Sequence, residues 1–280
     1  MEKAIKRYFP IFVLPTMIAF TLGFIIPFVE GVYLSFCKFT TVNDAKFIGF
    51  ANYAKVFADE TFVHAFWYTA AFTVVSVILI NVLAFAVALL LTKGFKGTNI
   101  FRTVFFMPNL IGGIVLGYIW QLLLNGILMN FSCTLTYSST YGFWGLIILM
   151  CWQQIGYMMI IYIAGIQNIP GELIEAAEID GATKWQILKK VTIPMVMPSI
   201  TVCTFLTLTN SFKLFDQNLA LTNGEPSKMS EMLALNIFNT FYGRTGYEGV
   251  GQAKAVIFFI LVTVIALTQN YLTRRKEVQQ

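Results

Sequence analysis

The side chains that could do chemistry in this chain are few, and they gather in two polar runs and one charged insert. The first run is Trp152-Gln153-Gln154-Ile155-Gly156-Tyr157, and the second holds Thr207, Thr209, Asn210, Ser211, Lys213 and Asp216. Uncharged donors and acceptors beside aromatic faces suit reversible binding of a neutral, hydroxyl-rich, flat-faced solute. The same residues equally suit hydrogen bonds between helices. Lys213 and Asp216 have the spacing of an intrahelical ion pair. Catalysis is poorly served. The single histidine, His64, reads as an exposed loop residue, and neither HExxH nor GxSxG occurs. Gly94-Phe95-Lys96-Gly97-Thr98 is the nearest approach to a phosphate-cradling Walker A sequence, and its spacing is wrong. The cysteines Cys37, Cys133, Cys151 and Cys203 lack metal-ligand spacing and read as buried thiols, with a Cys37–Cys133 bond left open. No catalytic residue, metal or cofactor is expected.

The charged insert begins at Ile169-Pro170-Gly171-Glu172 and ends at Val191-Thr192-Ile193-Pro194. Pro170 opens a first helix over 171–179, with Glu172 and Glu175 near its positive end. Gly181 follows where a left-handed terminating residue is favoured. Thr183-x-x-Gln186 is a capping box for a second helix, on which Trp185, Leu188 and Val191 form an apolar stripe opposite Lys184, Lys189 and Lys190. Pro194 is expected to stop that helix and begin the turn into the next apolar stretch. Two short helices joined by a glycine make a compact knob that can seat in a groove on a partner. The plainer alternative is an amphipathic loop lying on a membrane surface.

The elements that must position these residues are membrane spans. Of 280 residues, 57% are hydrophobic and 12% charged, about half the roughly 25% charged residues of a soluble domain. Mean hydropathy is +0.71. Apolar segments over 11–36, 66–91, 104–124, 141–164, 197–214 and 253–272 predict an all-α polytopic protein with six transmembrane helices. Asn109, Gln121, Asn210 and Lys213 interrupt the third and fifth, which suits helices facing a bundle interior. Pro15 and Pro27 are expected to kink the first span, and Gly113-x-x-x-Gly117 to allow close helix packing. The first span has no small-x-small cleavage site after it and reads as uncleaved. Placing the N-terminus inside collects 12 of the 19 Lys and Arg residues in four inner clusters, including Lys93, Lys96, Arg102 and the final Arg274-Arg275-Lys276. Both termini and the insert are therefore expected to be cytoplasmic. The basic residues lie in short clusters between apolar runs, so no nucleic-acid face is expected.

The insert carries a spaced pattern: Glu175-Ala176-Ala177, three residues, Gly181, nine residues, then Val191-Thr192-Ile193-Pro194. This resembles the EAA loop of bacterial ABC-importer permeases, with Ile193 where the family usually has Leu. Residues 47–53, the stretch from Gly97 through Arg102 to Pro108-Asn109, and Leu221-Thr222-Asn223-Gly224-Glu225-Pro226 look like the maltose and multiple-sugar branch; Glu225 departs from its common Gly-Gly-Pro ending. The resemblance implies a single permease domain over 1–280 in the bacterial cytoplasmic membrane, with a coupling loop at 166–196. It implies these partners: a second homologous permease, two ATP-binding cassette ATPase subunits, an extracellular or periplasmic solute-binding protein and a carbohydrate, with membrane lipid around the spans. ATPase-coupling positions would be Glu175, Ala176, Ala177, Asp180, Gly181, Trp185, Leu188 and Pro194. Sugar-binding positions would be Gln154, Gly156, Tyr157, Thr207, Asn210 and Ser211. A permease for a non-sugar solute such as an amino acid is the nearest alternative. A proton-coupled secondary transporter would need acids along its path, which the spans nearly lack.

Overall fold

The computed structural model describes residues 2–94 and 96–274. Arg275 and Lys276 of the final basic cluster lie outside the described residues. The described chain is almost wholly helical. Among the described residues, five helices are long and apolar enough to cross a membrane, and a sixth crossing is available from a helix pair bent by 69°. The chain divides into two compact units, one built from residues up to Glu60 together with Ile237–Ile260, the other from Thr61–Asn236 and residues from Leu261 onward.

In the first unit, α1 (Glu2–Phe20) runs through a π-helical turn (Thr21–Ile25) into α2 (Ile26–Leu34). Pro15 leaves α1 unbroken, whereas Pro27 follows the π turn, whose closing bond runs from the Ile26 N–H to the Thr21 carbonyl. The wide turn accommodates the proline's missing donor and its ring. Apolar side chains such as Phe12, Leu22 and Val29 stand exposed along this span, as suits a helix whose solvent is lipid. The following segment is ordered rather than loose. β1 (Cys37–Lys38) pairs antiparallel with β2 (Lys46–Phe47), and α3 (Ala51–Phe57) follows. Asp44 accepts the Thr40 and Thr41 N–H groups, which holds its carboxyl below the usual carboxylate range. Asn52 ties the strand end down by donating to the Ser35 and Cys37 carbonyls. Lys254 is fully buried, and its Nζ lies 2.7 Å from Asp59 and 2.8 Å from the Thr240 hydroxyl. A cation in that position requires such partners.

The second unit opens with α4 (Glu60–Leu91). His64 is on this helix and not in a loop; its Nε2 meets the Met229 carbonyl at 2.9 Å. The third apolar segment is not the single helix expected over 104–124. α5 (Thr98–Phe106) ends in a 3-10 turn at Met107–Leu110, and α6 (Gly113–Leu128) begins afresh. Pro108 and the Gly112-Gly113 pair explain the break, and the span shifts toward the C-terminus as Gly113–Phe131. α7 (Ser139–Gln167) is the most enclosed span, with 61% of its apolar window buried against 11% for the Gly113–Phe131 span. After the insert come α11 (Met197–Phe212) and α12 (Asp216–Leu221), then α13 (Leu233–Gly243) and α14 (Glu248–Arg274), which continue into or between the two units.

Glycines on α6 and α7 let backbones approach. A Cβ on Gly117 would lie 2.7 Å from the Ala220 Cβ, and one on Gly113 would meet Asp216, so the small-residue pair on α6 seats α12. A Cβ on Gly156 would overlap the Phe105 carbonyl and lie 2.7 Å from the Phe106 nitrogen. Gly156→Ala is therefore expected to lower thermal stability in detergent by an equivalent of about 1–3 kcal/mol. Gly126→Ala, where nothing lies within 4 Å, should leave the unfolding midpoint unchanged or slightly raised.

Candidate functional site

The insert folds as expected in its first half. A helix α8 spans Gly171–Ile179, Gly181 has φ +76°, and the Thr183–Gln186 capping box is complete, with the Thr183 N–H donating to Gln186 Oε1 at 2.7 Å. The second half differs. α9 (Lys184–Ile187) widens into a π-helical turn (Leu188–Thr192) and closes with α10 (Ile193–Met195). Pro194 therefore does not stop the helix; it lies inside its last turn, and the break comes at Val196. The physical reason matches that at Pro27: the Ile193 N–H reaches back to the Leu188 carbonyl, and the wide turn relieves the proline. Beyond Val196 the axis turns by 69° into α11.

The insert presents its chemistry outward. Glu175, Ala176, Asp180 and Gly181 are exposed, Ala177, Leu188 and Pro194 half-buried. Trp185 is 69% exposed and Ile179 86% exposed, whereas Ile187 is buried and anchors the second helix inward, with Leu188 and Val191 half-buried beside it. Ala177, Asp180, Gly181, Gln186, Ile187 and Lys190 border a concavity of about 260 Å³ in the angle between the helices. Large apolar side chains on a polar knob are what a docking surface presents.

The two polar runs meet at the other end of α11. Met150, Gln154, Asn210, Lys213, Asp216 and Gln217 are among the residues around a concavity of about 290 Å³. Asn210 Nδ2 donates to Gln154 Oε1 at 3.4 Å, and Gln217 Nε2 to Gln153 Oε1 at 2.8 Å. Lys213 and Asp216 both line this concavity but do not form the expected intrahelical pair. α11 ends at Phe212 and α12 starts at Asp216, so the helical register between them is broken. Of the other positions singled out from the sequence, Ser211 is buried with a hydroxyl that has no hydrogen-bond partner, and Tyr157 is half-buried with its ring 6.4 Å from that of Phe106. Gly156 lies against the Phe105–Phe106 backbone.

Thr207 belongs to a different arrangement. Its hydroxyl donates to its own helix at the Cys203 carbonyl and accepts from Asn81 Nδ2 at 2.9 Å, while Asn81 Oδ1 accepts from Tyr162 at 2.6 Å. This chain ties α4, α7 and α11 together. Asn81 and Tyr162 were not anticipated; a lone asparagine within the 66–91 apolar run was the available signal. Among the described residues, no group of three or more His, Cys, Asp or Glu side chains could hold a metal ion, and all four cysteines are free thiols. Thr207→Val removes an acceptor from a buried amide and should cost about 1 kcal/mol, read as a lower thermal midpoint with an unchanged half-saturation for transport.

The comparisons with known proteins agree along the chain's length. The chain is 42% identical over 278 residues to the probable starch degradation products transport system permease protein AmyD of Thermoanaerobacterium thermosulfurigenes, covering 96% of this chain and 94% of that one. It is 28% identical to the multiple sugar-binding transport system permease protein MsmF of Streptococcus mutans over 99% of each chain. Its fold is similar to that of a chain in the crystal structure of a bacterial ABC transporter involved in alginate import, with a TM-score of 0.82, 23% identity and 98% of each chain covered. A chain of the methionine ABC transporter MetNI is also similar, at a TM-score of 0.59 and 24% identity, over 77% of this chain and 96% of that one. Residues 80–278, which hold α7, the insert and α11, match one family throughout, and the chain belongs to it: the binding-protein-dependent transport system inner membrane components.

Proposed function

We propose that this chain is one half of the translocation pore of an ATP-driven carbohydrate importer in the bacterial cytoplasmic membrane. In this reading it crosses the bilayer six times with both termini inside and pairs with a second, homologous permease. Two ATP-binding cassette subunits bind the insert, and an extracellular or periplasmic solute-binding protein delivers the sugar. The observation that carries the reading is mechanical. The second helix of the insert runs unbroken to Met195 and turns by 69° into α11, which ends beside the Asn210–Gln154 concavity. α11 has 16 residues, so a push on the insert is carried about 24 Å along a rigid rod to the polar site.

Each group then has a part. Glu175, Ala176, Asp180 and Trp185 offer the ATPase a mixed polar and apolar surface. Ala177 and Gly181 keep the angle between the helices open for a partner side chain. Leu188 and Pro194 lie on the stem that transmits the motion. At the far end, Gln154 and Asn210 supply amide donors and acceptors for sugar hydroxyls, Ser211 has a hydroxyl to spare, and Tyr157 offers a ring face. Closure of the ATPase dimer would swing α11 and re-form this site facing outward; its release would return the site to face inward. The sugar assignment is supported by full-length relatives named for starch degradation products, for multiple sugars and, in Thermococcus litoralis, for trehalose and maltose.

Two measurements test this. Gly181 sits at φ +76°, a conformation proline cannot adopt. Gly181→Pro is expected to abolish ATP-dependent uptake while the protein still reaches the membrane; uptake at the unmodified rate would overturn the coupling role. Asn210→Ala should raise the half-saturation for sugar by about tenfold, the loss of one or two hydrogen bonds, with assembly intact. An unchanged half-saturation would remove Asn210 from the site.

A further inference from the structure

A third concavity, of about 340 Å³, lies between α5 and α7, and its lining shares no residue with the concavities at the angle of the insert and beside Asn210. One wall is apolar, formed by Phe106, Ile160, Ile163 and Ala164, and Arg102, Thr103 and Gln167 complete the lining. Among the described residues, no carboxylate lies within ion-pair distance of Arg102, and its Nε is buried without a hydrogen-bond partner. A guanidinium in that position is half of an interaction, because a buried donor without an acceptor costs about 1–3 kcal/mol. The Thr103 hydroxyl is already used, donating to the Asn99 carbonyl at 3.0 Å. The donors left to a ligand are therefore the Arg102 guanidinium and the Gln167 amide, and they call for an anion with several acceptor oxygens.

The surroundings say what carries the anion. Gln167 is the last residue of α7, so the concavity lies where a span ends. On α5 the side chains of Ile100, Phe101, Val104 and Phe105 are exposed on one side, while Arg102, Thr103 and Phe106 line the concavity on the other. A short helix with that division lies in a bilayer interface. A free inorganic anion would leave the Phe106–Ile160–Ile163 wall without a partner, whereas a phospholipid supplies a phosphate for Arg102 and an acyl chain for the wall. We infer that Arg102 and Gln167, with the apolar wall between α5 and α7, form a binding site for the phosphate headgroup of an anionic phospholipid.

The test is native mass spectrometry of the full chain, purified with whatever partners accompany it, delipidated and titrated with phosphatidylglycerol or phosphatidylcholine. One tight phosphatidylglycerol adduct is expected, weakened about tenfold in Arg102→Gln, which removes a charge-assisted contact, and largely kept in Arg102→Lys and in a Lys93→Gln control. Equal binding of phosphatidylcholine, or an undiminished adduct in Arg102→Gln, would overturn the site. So would displacement by millimolar inorganic phosphate, which would make it a free-anion site. Loss of the second permease from Arg102→Gln with lipid binding unchanged would assign Arg102 to a partner's carboxylate. Arg102→Lys retaining the helical circular dichroism signal and elution position of the unmodified protein keeps the comparison free of misfolding.

Discussion

A backbone in a bilayer can leave its helix only where protein covers the groups it frees, since lipid offers them nothing. The structure meets this constraint at three breaks, each facing a glycine. The 3-10 segment after Phe106 begins where Gly156 of α7 lets the Phe105–Phe106 backbone come close. The bend at Val196 lies against Gly165 of the same helix, where a Cβ would meet both Ser199 and Val196. The break between α11 and α12 is faced by Gly113 of α6, against Asp216 and Gln217. α7 is thus the strut on which two of the three interruptions are seated, and its enclosure follows from that duty.

These interruptions are also where the polar side chains gather. Lys213 and Asp216 flank the last break, and Gln153 binds both Gln217 beside it and the Ile111 carbonyl at the first. Unwinding the chain and solvating a passing hydrophilic solute make the same demand for uncharged donors and acceptors in an apolar bundle. In the sugar pore proposed above, one set of amides would meet both. The Thr207–Asn81–Tyr162 chain, away from any break, has no such second use and acts as a tie between spans.

What could be read in the sequence was local. The limits of α8, the capping box at Thr183, the left-handed Gly181 and the close-packing pair Gly113 and Gly117 all depend on residues within a turn or two of one another, whereas the partner of that pair, α12, lies some hundred residues away. What could not be read depended on contacts made elsewhere. The third apolar run looked continuous because Pro108 could have been a mild kink; the Gly156 approach that fixes a full break is 48 positions away. Lys213 and Asp216 looked like one helical face because nothing between them marks the end of α11. His64 looked exposed because its acceptor, the Met229 carbonyl, is 165 residues distant. The candidate binding residues stood out as two polar runs, but that Thr207 instead bonds Asn81 of α4 and that Gly156 seats the backbone of α5 depended on contacts distant in the sequence.

The π turn before Pro194 has a further consequence. A π turn holds one residue more than an α-helix needs, and each residue of an α-helix advances the side chains by about 100°. Deleting any one residue from Leu188–Thr192 would leave that turn with an α-helix's own count, so the side chains before it would keep nearly the same direction, but the ring of Pro194 would then meet the carbonyl four residues earlier. Ile187 would keep its seat, and the cost would fall on the stem beside the bend at Val196. The extra residue is thus slack in the stem: it makes room for a proline just before the bend at Val196 without turning the knob away from its own axis.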